Sequence, residues 1–277
     1  MAEAQGPAID GFMRSFVLTS NEKGFWEMKT LAVALLAMFL LVAPVRAQEQ
    51  KSAAPANGAA AAPAPAITIT AESTPTELAR AAFLALGGEK FRNVQNVVMR
   101  GSVQLYPPNS VQSIPGSFSL VTAGAKLRME IDARPAIVFK QIYDGQNSYS
   151  SMPNVEMPPL TKFGLGALAR YDQPGYQITA LANKKKQRAF RIVDPEGYTT
   201  DFYIDPANGR VMSFLLYYGG LTLGTEHSKF KDIEGVLVPW SFSQKFEMSM
   251  GAFFAEFSAK DVKINQPLGD DAFAIPR

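Results

Sequence analysis

The chain of 277 residues carries 27 lysines and arginines against 25 aspartates and glutamates, for a formal charge of +2, with one histidine and no cysteine. That balance offers no electrostatic footprint for nucleic acid. The absence of cysteine excludes disulfides, thiolate metal centres, cysteine nucleophiles and a lipid-modified N-terminal cysteine, and a single imidazole leaves no metal-ligand cluster, so neither a metal nor another cofactor is expected.

Residues 1–27 are polar and without periodicity, and read as an upstream mis-start. Met28-Lys29, the apolar run from Leu31 to Val45 and the small residue in Val45-Arg46-Ala47 form the basic, hydrophobic and cleavage parts of a secretory signal peptide over 28–47, cut after Ala47. The run falls short of the roughly 20 apolar residues of a membrane span; an uncleaved anchor is the alternative. Cysteine-free export points to the bacterial periplasm. The removed part holds Arg14, Lys23, Lys29 and Arg46 against Glu3, Asp10, Glu22 and Glu27, which leaves the charge balance unchanged. Residues 48–67, rich in Ala and Pro, have little to bury and form a tether. One domain is expected over 68–277, a length that suits a single core without staples.

The first element of that domain is a helix. Thr74-Pro75-Thr76-Glu77 supplies a capping hydroxyl, a proline at the first turn and a glutamate to close the box. Leu78, Ala82, Phe83 and Leu86 give it one apolar side, and Gly87-Gly88 ends it. Alternation then takes over. Val97, Met99, Gly101, Val103 and Leu105 fall on one side of a strand; Phe118 and Leu120, then Leu127, Met129 and Ile131, repeat the pattern. Further strands are predicted over Ala136 to Tyr143, Tyr176 to Ala182, Arg188 to Val193, Tyr198 to Ile204, Val211 to Tyr218, Leu237 to Met248 and Ala252 to Ile264. Turn residues separate them, as in Asp144-Gly145, Asp194-Pro195-Glu196-Gly197, Asp205-Pro206-Ala207-Asn208-Gly209 and Gly219-Gly220. This is a mainly β, α+β pattern laid down as an antiparallel meander. Thr161 to Tyr171, with Phe163, Leu165, Leu168 and Ala169 at helical spacing, predicts a short helix packed on the sheet's concave side as a plug or lid, weakened by Gly164 and Gly166.

Catalytic constellations are thin. His227, between Glu226 and Ser228, has no Gly-x-Ser-x-Gly elbow to serve and reads as a solvated strand or turn residue. Glu130/Asp132 and Asp270-Asp271 are carboxylate pairs that a glycosidase would need to face each other across a cleft, and surface positions suit them better. Lys184-Lys185-Lys186 is a basic run in a hairpin turn, read as a wet surface patch. No enzyme is expected. The chain is instead rich in soft apolar side chains: Met99, Val103, Phe118, Leu120, Leu127, Met129, Phe139, Phe163, Phe202, Met212, Phe214, Trp240 and Phe242 form the candidate lining of an apolar pocket. The same residues would serve as ordinary core beneath helices.

Taken in order, several short signatures resemble one family. They are the helix with Gly87-Gly88, the strand reaching Arg100-Gly101, Ile142-Tyr143-Asp144-Gly145-Gln146, Asp205-Pro206-Ala207-Asn208-Gly209-Arg210, Gly235-Val236-Leu237-Val238-Pro239, and the ending Val262-Lys263-Ile264-Asn265-Gln266-Pro267 with Phe273-Ala274-Ile275-Pro276. Together they span Pro75 to Pro276 and resemble the outer-membrane lipoprotein-sorting superfamily of LolA, LolB and RseB type. The resemblance implies a strongly curved antiparallel sheet of roughly ten strands, an unclosed half-barrel with helices in its concave face, that takes up lipid or lipoprotein acyl chains without chemistry. It implies a monomeric periplasmic carrier or, alternatively, an envelope-stress sensor or regulatory module of RseB type that binds an envelope protein partner through the outer surface of the sheet. Where the carrier has a Phe-Arg-Trp strand, this chain reads Lys126-Leu127-Arg128-Met129, the mark of a diverged branch. Arg100 and Arg128 are the candidates for the arginine that holds the carrier's lid.

Overall fold

The capping box written into Thr74 to Glu77 forms as spelled, with Glu77 N donating to Thr74 Oγ1 at 3.3 Å and Thr74 N to Glu77 Oε2 at 2.7 Å. It opens helix α1 (Pro75–Ala85), which buries Leu78, Ala79, Ala81, Ala82 and Phe83. In this computed structural model the described residues are 68–108, 110, 112–151, 162–218, 221–248 and 251–276. The expected mis-start, signal peptide and tether lie outside them. Among the described residues no helix is long and apolar enough to cross a membrane.

Helix α1 stops at Gly87, whose φ of +116° suits a residue without Cβ. A Cβ there would stand 2.4 Å from Gly235 O, and Leu237 N donates to Leu86 O at 3.0 Å, so the helix end docks directly on the sheet. A single turn, α2 (Glu89–Arg92), leads into β1 (Asn96–Tyr106), β2 (Ile114–Ala123), β3 (Lys126–Ala133), β4 (Ile137–Tyr143) and β5 (Ser148–Ser150). Helix α3 (Gly164–Leu168) interrupts the meander, shorter than expected, and Thr161 at its predicted start is outside the described residues. Then follow β6 (Gln177–Ala180), β7 (Arg188–Val193), β8 (Thr199–Ile204), β9 (Val211–Tyr218), β10 (Leu221–Ile233), β11 (Val236–Met248) and β12 (Gly251–Ile264).

Among the described residues all strands join one 12-stranded sheet in the order β5-β4-β3-β2-β1-β12-β11-β10-β9-β8-β7-β6. Every neighbouring pair is antiparallel. Two meanders are thus fused where β1 meets β12, and among the described residues β5 and β6 are the end strands: an unclosed half-barrel with two strands more than expected. The residues that alternate onto the inner face form one core with the three helices. At the fusion, Gly101 opposes Phe118 on one side and Ala259 on the other. A Cβ at Gly101 would lie 2.1 Å from Ser258 O and 2.7 Å from the Phe118 ring, so only glycine lets that ring lie across the strand. The ring meets Phe257 edge-on at 5.2 Å, and Phe257 stacks on Phe242 at 4.7 Å.

His227 is not the solvated residue its sequence context suggests. It opposes Phe242, is 4% exposed, and packs edge-on against Phe214 and Phe230. Its Nδ1 donates to Val211 O at 2.8 Å. Burial pushes its pKa down to about 4, against an upward pull from the Val211 bond. The unfolded chain takes up a proton near pH 6.5 that the native ring refuses until about pH 4. Its contribution to stability is therefore complete above pH 6.5 and lost as pH falls toward 4, by about 3 kcal/mol. Urea unfolding at pH 7 and pH 4.5 should show the wild type losing about 2–3 kcal/mol more than His227→Phe; equal losses would place the acid sensitivity elsewhere.

Candidate ligand-binding trough

The register brings nearly all the candidate lining residues to one surface. Met99 and Val103 on β1, Phe118 and Leu120 on β2, Leu127 and Met129 on β3 and Phe139 on β4 lie on the inner face of the first meander, all buried. Phe202 on β8, Phe214 on β9 and Phe242 on β11 continue that face through the second, where Phe202 also stacks on Phe190 at 5.1 Å. Phe163 caps α3 from above, its ring 5.1 Å from Tyr198 and 6.1 Å from Tyr218.

Two candidates sit at irregularities of the sheet and are only half-buried, though Trp240 still packs against the core. Ile204 opposes Val211 while Tyr203 opposes Ser213, which makes Met212 the extra residue of a bulge; Val211 takes the buried place and Met212 stays half-buried. Trp240 falls at a second register shift, between Ser241 opposite Lys229 and Pro239 opposite Phe230. It is half-buried, with Lys231 Nζ 3.4 Å from its ring centroid. The inner face also holds Ile131, Phe190, Leu223, Phe253 and Phe257, which the candidate set omits. Their signal is plain alternation, as at Phe253, Ala255 and Phe257.

Helix α3 roofs the β8–β9 part of this face, and all five of its residues are buried. It has no side-chain cap, and its first residue, Gly164, has φ +53°. A Cβ on Gly164 would stand 2.9 Å from the Phe214 ring, and Gly164 N donates to Thr200 Oγ1 at 3.1 Å. At its far end Arg92 acts as a clasp. Arg92 Nε donates to Ala169 O at 2.9 Å and Nη2 to Asp172 at 2.8 Å, while the guanidinium lies 4.4 Å from the Phe83 ring centroid. At the near end Lys162 pairs with Glu196. The resemblance pointed to Arg100 or Arg128 for this task. Arg100 is exposed, and Arg128 bonds Glu130 and Ala272 O, away from α3. Arg92 was missed because it sits at the end of a one-turn helix, where sequence pattern says nothing of long-range partners.

Glu130 and Asp132 are both engaged by neighbouring cations. Glu130 is held by Arg128 and Lys140, which keep its pKa low against burial, and Asp132 is held by Arg134.

On the outer face, a groove of about 270 Å³ is lined among others by Lys184, Tyr203, Gly224, Glu226, Lys245 and Phe254. Lys184 Nζ lies 5.5 Å from the Tyr203 ring and Lys245 Nζ 5.6 Å from that of Phe254, which is 42% exposed. The basic run is exposed throughout, as expected of a hairpin turn, and its first lysine stands at the rim of this groove. Beside it Asp201 is buried, accepting from Arg191 Nε at 2.5 Å and Nη2 at 2.8 Å and from Tyr217 OH at 2.9 Å.

No family model and no curated protein matches the chain. Solved structures similar to it include a LolA superfamily protein from Nitrosomonas europaea, at 13% identity over 73% of this chain and 98% of that one, with a TM-score of 0.49. A candidate outer membrane lipoprotein-sorting protein domain from Vibrio parahaemolyticus is similar at 12% identity over 74% and 97%, TM-score 0.42. A DUF1329 family protein from Desulfovibrio piger is similar at 11% over 73% and 98%, TM-score 0.44.

An apolar wall under a short helix can exchange the helix for another apolar body, since both bury the same surface. Arg92→Ala removes the charge-assisted bonds to Ala169 O and Asp172 and should destabilise the seating of α3 by about 1–2 kcal/mol. Hydrogen exchange should then quicken at residues 164–169 while β1 and β12 stay protected; unchanged exchange over α3 would show that Arg92 is not its clasp.

Proposed function

We propose that the protein is an exported, periplasmic carrier that holds acyl chains of a lipid or lipoprotein against its concave apolar face, as a monomer and without catalysis. The observation that carries this reading is the roof: a five-residue, uncapped helix bearing Gly164 and Gly166, laid over an aromatic wall and clasped by Arg92. Five residues with two glycines have little helical stability of their own, so the helix is held by its packing and its clasp. Uptake then follows from substitution. When α3 lifts, the β8–β9 part of the face loses the helix that covers it, beginning with Gly164 over the Phe214 ring, and an acyl chain takes its place. Each methylene removed from water contributes about 0.8 kcal/mol. The cost of raising the helix offsets part of that gain, which keeps binding reversible, as a carrier requires.

Titration with a fluorescent acyl probe and with a lipopeptide should give saturable binding, abolished in Phe214→Asp where circular dichroism shows the sheet retained. Arg92→Ala, which leaves the wall intact, should tighten apparent affinity by roughly 5- to 30-fold if roof opening becomes 1–2 kcal/mol cheaper. Folded wild-type protein that binds neither probe overturns the reading.

The outer groove favours a second reading, a regulatory module of RseB type that engages an envelope protein. Two lysines packed on aromatic rings suit an acidic peptide with an apolar residue beside its carboxylate. Lys184→Glu with Lys245→Glu should abolish binding of such a peptide and leave acyl uptake untouched; peptide binding that survives both changes rules the groove out.

A further inference from the structure

The inner face is interrupted by buried polar groups that packing alone does not account for. Gln244 on β11 lies two residues beyond Phe242 and shares its face, opposite Thr225 on β10 and Ala255 on β12. It is 2% exposed, and its Oε1 has no hydrogen-bond partner. Gln141 on β4 is fully buried; its Nε2 donates to Ser148 Oγ at 3.1 Å, and its Oε1 is also unpartnered. Thr122 Oγ1 on β2 is in the same condition, one strand away across Leu127 and Met129. A buried acceptor without a donor is costly, and leucine or methionine would fill either glutamine site without that cost.

We propose that Gln244 is a guest-reading residue: it receives the amide linkage of an N-acylated guest, accepting the guest's N–H on Oε1, so that the trough selects acyl chains carried on a hydrogen-bond donor. This rests on the carrier reading above. A carboxamide presents an acceptor and a donor side by side, the complement of a secondary amide. An ester of the same length brings no donor and leaves Oε1 unpaired. Discrimination by a group left unsatisfied is stronger than discrimination by shape. The arrangement thus trades stability of the empty protein for selectivity.

The test is competition of N-butyl dodecanamide and butyl dodecanoate against a fluorescent acyl probe on the full-length protein. The wild type should prefer the amide on the order of tenfold. Gln244→Leu should bind the two equally and, with no guest present, unfold at a higher urea concentration than the wild type. Gln244→Met, closer in shape, serves if the leucine variant folds poorly. Equal affinities in the wild type, or a preference that persists in both variants, overturn the inference while leaving the carrier intact. If neither compound nor the probe binds, the carrier reading fails and this one with it.

Discussion

Everything in this structure hangs on the pairing of β1 with β12. The first strand of the sheet and the last lie side by side in its middle, so each meander can be completed only when the other is in place. Ten register pairs hold the seam, interrupted once between Arg100 and Gly101. At that interruption a glycine, the Phe118 ring and the Phe257 ring occupy volume that a single added methyl would contest. The seam fixes which side of every strand faces inward, because a slip of one residue would exchange the faces throughout. Its contacts also separate residues far apart in sequence, which favours slow, cooperative folding.

With the faces fixed, the two surfaces divide the labour. The inner one carries aromatic and methionine side chains with a few polar interruptions, and the outer one carries ion pairs such as Arg134 with Asp132 and the groove beside Asp201. The seam joins the two meanders in the middle of the sheet, whereas α3 covers β8 and β9 of the second. Arg92 links the two: it follows α1, whose end is locked to the sheet through Gly87 and Leu237, and reaches over to Ala169. A clasp anchored on the fixed part can let go without disturbing it.

How much of this could be read in the sequence depends on whether local chemistry or distant packing decided the matter. The capping box, the Gly87-Gly88 stop and the turn at Asp205 to Gly209 are local. The last of these forms with Asp205 Oδ1 accepting from Ala207 N at 2.9 Å, and docks so closely on α1 that a Cβ on Gly209 would meet Ala81 O at 2.9 Å. Alternation gave most of the strands and most of the lining. Strand β10 was missed because Gly224, Glu226, Ser228, Lys229 and Lys231 dilute its apolar residues and a bulge breaks its period. A bulge between β8 and β9 likewise leaves Met212 half-buried, since an extra residue shifts a side chain without altering the composition around it. His227 was misjudged for a related reason: its neighbours in sequence are polar, but its neighbours in space are Phe214, Phe230 and Phe242.

An end strand with open backbone groups is a template on which a second copy could add its own strand and start a fibre. Among the described residues the end strands of the sheet are Ser148–Ser150 and Gln177–Ala180, three and four residues long and mostly polar. Stubs of that length offer too few rungs for stable addition, so the gutter can remain open without polymerising.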